Sequence, residues 1–121
     1  MDNKVIDLSG KWNCYFDKKN RLEKAGIMYQ KEPNIKQWKK IKVPSHWQKQ
    51  GYDYQGTVWY FKEFKFNQEI SSDEIVSLKF EGVDYSSQIW LNGIYLGLHE
   101  GDFDTFKFNI TEYLEKENYL Y

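Results

Sequence analysis

An Asn-Gly pair between two alternating runs, Ile89-Trp90-Leu91-Asn92-Gly93-Ile94-Tyr95-Leu96-Gly97, constrains this chain more than any other feature. A type I′ turn needs positive φ at both central residues, which Asn and Gly adopt at low cost, so the pair predicts a two-residue hairpin. The turn sets a register: Leu91 opposite Ile94, Trp90 opposite Tyr95, Ile89 opposite Leu96. One face is then aliphatic and the other aromatic. Upstream, Val76, Leu78 and Phe80 alternate with Ser77, Lys79 and Glu81; downstream, Phe106, Phe108 and Ile110 alternate with Thr105, Lys107 and Asn109. Four strands in one unbroken series are expected.

The 121 residues suit a single domain, expected over residues 1–121. Seventeen basic residues nearly cancel eighteen acidic ones and leave a net charge of -1, scattered along the chain. Nucleic acid is a poor partner for such a surface, because phosphate binding needs clustered positive charge. Aromatic residues make up 19% of the chain, which favours strands and ring-stacking surfaces. Cys14 is the only cysteine, so an internal disulfide or a multi-cysteine metal site is excluded, and a buried small hydrophobe is expected there. The first residues do not form a charged-then-apolar leader, and no apolar run approaches the ~20 residues of a membrane span. A soluble protein of the cytoplasm, without a membrane partner, is the expectation.

In chain order, Lys4 to Asp17 reads as an opening strand with Trp12, Cys14 and Phe16 on one face and Lys11, Asn13 and Tyr15 on the other. Lys18 to Lys36 is charged and reads as a long loop holding one short helix. Trp38, Ile41 and Val43 lead to Pro44, which stops a strand because it brings no backbone donor. Gln48 to Thr57 is an exposed, turn-rich connection. Val58 to Phe66 is the next strand, with aromatics on both sides and burial on both at its start. Asn109 followed by Glu112 resembles a helix cap, predicting one helical turn over Thr111 to Glu115. Asn118 to Tyr121 reads as a strand that begins and is cut off. About seven or eight short strands with few helix signals predict an all-β antiparallel sandwich.

Ser45 and His46 are sequence neighbours, which an extended segment points to opposite sides, so a nucleophile and base pair built on them is rejected. No phosphate-cradling glycine motif is present; Gly93 and Gly97 fit turn or bulge roles. Asn109-Ile110-Thr111 matches a glycosylation acceptor, read as accidental without a secretory leader. Glycoside chemistry needs two carboxylates roughly 5 to 9.5 Å apart, a condition that counting acids does not test. The densest local group is His99-Glu100-Gly101-Asp102-Phe103-Asp104, read as a loop after the hairpin. Acids beside rings there suit sugar hydroxyls, although a solvated charged loop has the same composition. Tyr52-Asp53-Tyr54 has a similar character. Trp90 and Tyr95 read either as a packed cross-strand pair or as an open platform for a sugar ring.

Laid out this way, the chain resembles the N-terminal sugar-binding domain of glycoside hydrolase family 2, which holds β-galactosidases, β-glucuronidases and β-mannosidases. Leu8-Ser9-Gly10-Lys11-Trp12 is similar to the opening motif, and Val43-Pro44-Ser45-His46-Trp47-Gln48 with Gly51-Tyr52 to the proline-tryptophan segment. Trp59-Tyr60-Phe61-Lys62-Glu63-Phe64 resembles a strand that usually carries arginine; Phe61 and Lys62 stand in those places and remove a bidentate charge. Most specific is Phe80-Glu81-Gly82-Val83-Asp84, then Ile89-Trp90-Leu91-Asn92-Gly93, then Leu96-Gly97-Leu98-His99-Glu100-Gly101. Asp102 precedes Phe103 where the family has glycine before the aromatic.

The resemblance implies a jelly-roll β-sandwich of the galactose-binding type. It places the two catalytic glutamates on a separate downstream (β/α)₈ barrel, which makes this chain a C-terminally truncated, catalytically inert fragment without cofactor or metal. The expected parent is a retaining β-glycosidase, β-galactosidase favoured over β-glucuronidase. Carried over residue by residue, Asp53, Tyr54, His99, Glu100 and Asp102 are the sugar-pocket candidates. The implied partners are the parent's downstream domains, its β-linked carbohydrate substrate and a second copy through sheet edges. The last strand is expected to leave a short or unpaired edge. A free-standing carbohydrate-binding module and a structural sandwich without sugar contacts are the rival readings.

Overall fold

The protein is represented by a computed structural model, which describes residues 5–31, 33–34, 36–43, 57–81, 86–100 and 105–121. The strands are β1 (Gly10–Asp17), β2 (Lys39–Val43), β3 (Thr57–Lys65), β4 (Ser77–Glu81), β5 (Ser86–Leu91), β6 (Ile94–Glu100), β7 (Thr105–Asn109) and β8 (Glu117–Leu120). Six form one sheet in the order β2-β1-β3-β8-β5-β6, and β4 pairs with β7 in a second. Every pairing is antiparallel. The all-β sandwich expected from the strand spacing is what the chain builds.

The β5–β6 hairpin turns on Asn92 and Gly93, at φ 52° and 81°. Leu91 faces Ile94 and Trp90 faces Tyr95 as the turn chemistry predicts, but Ile89 faces Gly97 rather than Leu96. Leu96 is the extra residue of a bulge, and Gly97 takes φ 151° beside it. A Cβ on Gly97 would lie 3.1 Å from Cε1 of Phe108, so the Phe108 ring of β7 would have to give by a few tenths of an ångström to admit a side chain.

Strand alternation divides the core in two. Trp12, Cys14, Ile41, Leu78, Ile89, Leu91, Ile110 and Leu120 fill the space toward the β4–β7 sheet, with Phe16, Tyr60, Phe80, Phe106 and Phe108 packed on them. Intervening residues of the same strands, Trp59, Phe61, Trp90, Tyr119 and Tyr121, face the other way and are covered by Ile27 and Met28. Those two belong to a short 3₁₀ turn, Ile27–Tyr29, the helical piece expected within the charged segment. Asp17 anchors that segment: its carboxylate accepts from the backbone N–H of Arg21 and Leu22 and from Nε1 of Trp59. Tyr121 closes it by donating its hydroxyl to the carbonyl of Gln30 at 2.7 Å.

Two expectations change, while the four strands of the series β4 to β7 all form and divide between the sheets: the outer two pair with each other and the central hairpin joins the larger sheet. Residues 111–113 form a turn and not a helix, because Asn109 Oδ1 accepts from Thr111 N–H and holds an Asx turn. The last strand is short but interior. β8 lies between β3 and β5, so the unpaired edge expected there does not exist, and β2 and β6 flank the sheet instead.

Candidate functional site

One rim of the sandwich collects several strand ends. Thr57, where β3 begins, lies opposite Asp17 at the end of β1. Ser86, where β5 begins, lies opposite Glu100 at the end of β6, and Glu81 at the end of β4 lies opposite Thr105 at the start of β7. Antiparallel pairing with β8 puts the starts of β3 and β5 at the same level of the sheet.

His99 and Glu100, read as loop residues in the sequence, are the last two residues of β6. Consecutive strand residues point to opposite faces, so the two are not brought together. The His99 ring turns inward and stacks on Phe106, centroids 3.9 Å apart and planes 14° apart. Phe106 in turn stacks on Phe80 at 5.0 Å. Nε2 of His99 is buried without a hydrogen-bond partner, one of two such side-chain atoms among the described residues. The other is Oδ1 of Asn13. A buried polar atom left unpaired costs about 1–3 kcal/mol, so the imidazole edge at this rim is primed for a polar contact. Glu100 is exposed. Asp53, Tyr54 and Asp102 lie outside the described residues.

Of the two readings of the hairpin's aromatic face, packing holds. Trp90 is only 7% exposed, wedged between Trp59 at 5.6 Å and Tyr95 at 5.2 Å. Tyr95 is the cover and remains half exposed.

Sequence reasoning missed a surface cleft of about 340 Å³ lined by Tyr15, Leu22, Asn34, Lys36, Gln37 and Trp38. It sits on the aromatic side of the large sheet, where the rings of Tyr15 and Trp38 approach to 5.7 Å. Residues far apart in sequence make it, so no local pattern announces it. No group of three metal-ligating side chains and no helix long and apolar enough to cross a membrane occurs among the described residues.

Comparison with known proteins adds an independent line. The model of a family described as glycosyl hydrolase 2 galactose-binding domain-like matches residues 47–121. The β-galactosidase of Priestia megaterium is 28% identical over 133 residues, an alignment covering 90% of this chain and 13% of that enzyme. A β-glucuronidase of an uncultured Clostridium sp. superposes with a TM-score of 0.81 at 26% identity, over 99% of this chain and 22% of the other. The Ruminococcus gnavus β-glucuronidase in complex with N1-substituted uronic isofagomine gives 0.80 at 25% identity, over 93% and 20%. The chain therefore spans a small fraction of the proteins it matches.

Proposed function

Because the chain belongs to the glycosyl hydrolase 2 galactose-binding domain-like family, the N-terminal domain of that group of β-glycosidases, we propose that it is the non-catalytic sugar-binding sandwich of a larger enzyme. In this reading it buttresses a catalytic domain and supplies one wall of the substrate pocket. The wall is the rim where β3, β5 and β7 begin and β4 and β6 end. That convergence carries the reading, since segments 44–56, 82–85 and 101–104 connect to strands that meet there. Asp53 and Tyr54 lead into β3, Asp102 follows β6, and His99 offers its unpaired ring nitrogen at the same rim.

The reading assigns no acid–base pair to the chain. Catalysis of glycoside cleavage requires two carboxyl groups flanking one bond, and Glu100 stands exposed on the face away from His99. The proposed contribution is positioning: aromatic rings and a few hydrogen-bonding groups that orient a hydroxylated substrate. The preferred substrate is a β-galactoside, on the segment Pro44-Ser45-His46-Trp47-Gln48 with Gly51-Tyr52, with a β-glucuronide second.

Titration of galactose, glucuronate and mannose into the chain, followed by calorimetry, tests this. Binding weaker than millimolar is expected, because one wall of a pocket buries little of a sugar. Submillimolar binding would favour the free-standing module. In a full-length parent, E100A and D102A should raise KM several-fold; unchanged kinetics would remove both acids from the pocket.

A further inference from the structure

Asn92 is the one asparagine of the chain followed by glycine; the others precede Lys, Cys, Arg, Ile, Gln or Tyr. An asparagine amide is open to attack on its Cγ by the backbone nitrogen of the next residue. Glycine, with no Cβ, leaves that nitrogen unscreened and its backbone free to reach. In the folded chain the amide of Asn92 is engaged at both ends. Nδ2 donates to the carbonyl of Tyr113 and to Oδ1 of Asn118, Oδ1 accepts from the N–H of Tyr119, and the backbone N–H of Asn92 donates to the carbonyl of Tyr119. Every partner lies between residues 113 and 119, in β8 and the segment that leads to it.

We propose that Asn92 is a deamidation site which β8 holds shut, and that its conversion, once β8 has opened, bars β8 from docking again. Hydroxide takes the N–H proton of Gly93, the nitrogen forms a bond to Cγ of Asn92, and the Cγ–Nδ2 bond breaks. The departing group takes a proton from water and leaves as ammonia, which restores the hydroxide. Water then adds to either carbonyl of the cyclic imide and opens it to aspartate or isoaspartate, so one ammonia leaves, one water enters and nothing is oxidised or reduced. To react, the side chain must turn its Cγ toward Gly93 and give up all three of its hydrogen bonds together. Both products are incompatible with the clamp. Aspartate has no side-chain donor, so its carboxylate meets the Tyr113 carbonyl and Asn118 Oδ1 as acceptor against acceptor. Isoaspartate carries the main chain through Cβ and lengthens a two-residue turn whose register depends on its length.

The test incubates the chain at mildly alkaline pH in buffer and in concentrated guanidinium, and follows position 92 by peptide mass spectrometry and isoaspartate methylation. Conversion in buffer should be at least about a hundred-fold slower than in guanidinium, because only the open fraction reacts. Gly93→Ala should slow the reaction in guanidinium several-fold, where folding plays no part. Asn92→Asp, the product made directly, should speed amide exchange at Tyr119 and Tyr121 at least about ten-fold while the amides that pair β1 with β2 stay protected. Equal rates in the two solvents, another asparagine converting before Asn92 in guanidinium, an unchanged rate in Gly93→Ala, or unchanged exchange in Asn92→Asp would each overturn the proposal. So would loss of protection between β1 and β2, since the damage would then be global and not a matter of β8.

Discussion

The Asn92 side chain donates to the carbonyl of Tyr113 at 2.8 Å and to Oδ1 of Asn118 at 2.9 Å, and accepts from the backbone N–H of Tyr119. Asn118, fully buried, relays the network to the carbonyls of Phe64 and Glu115. One residue thus combines a left-handed turn with a clamp on β8. Asn92→Gly retains the turn and loses the clamp; Asn92→Ala loses both. Unfolding free energies from denaturant titration should fall by about 1–3 kcal/mol for the first and further for the second. Asp17 governs the acid limb. Burial raises its carboxyl, but the N–H donors of Leu22 and Arg21, the Trp59 indole and the Arg21 charge outweigh burial and hold it below the usual carboxylate range. Its contribution is present above about pH 4, the unfolded value, and is lost as pH falls through the lower folded value. Asp17→Asn should flatten that limb of a stability profile. Burial, and then Cys14, push Tyr60 up to about 12, so its contribution is present below about pH 10 and lost between there and 12. Tyr60→Phe should remove part of the alkaline transition, to which Tyr121 and Cys14, raised by burial in the same direction, also contribute.

At the level of elements, the bulge in β6 decides which face each hairpin residue joins. Leu96 packs into the main core although it is one residue out of the register that the turn alone predicts. Gly97→Ala should cost about 1–3 kcal/mol through positive φ and the 3.1 Å approach to Phe108, readable as a lowered melting temperature with the sheet signature unchanged. Gly97 was legible as a turn or bulge glycine, but the one-residue register shift was not, because the Phe108 ring it lies against belongs to β7, a neighbour in space. The same holds for β8. Asn118 to Tyr121 reads as a strand, but its interior position depends on Phe66 N–H donating to Lys116 and on the exchange between Tyr121 and Trp90. Leu120→Ala, at 1% exposure, should therefore cost about 2–5 kcal/mol, which equilibrium unfolding would register and a frayed terminal strand would not show.

For the whole molecule, two cores on opposite faces of one sheet make Cys14 a reporter. It is fully buried, and burial pushes its thiol up although Lys39 opposes the shift. Labelling by an aromatic disulfide reagent should be undetectable in the folded chain and should track global unfolding under denaturant. The candidate site shows the same division between local and spatial information. His99 and Glu100 were identifiable as chemistry-bearing residues, yet their projection to opposite faces follows from β6 running to Glu100. Sequence alone determined the strand identities, the turn at Asn92-Gly93 and the inward sets Leu78, Ile89 and Phe108, because alternation and turn propensity act over neighbouring residues. Tertiary structure decided that β4 and β7 leave the hairpin to form their own sheet, that β8 enters between β3 and β5, and that the strand ends meet at one rim. Those choices depend on which distant backbone supplies each hydrogen bond and which distant ring fills each space, and no window of sequence contains both partners.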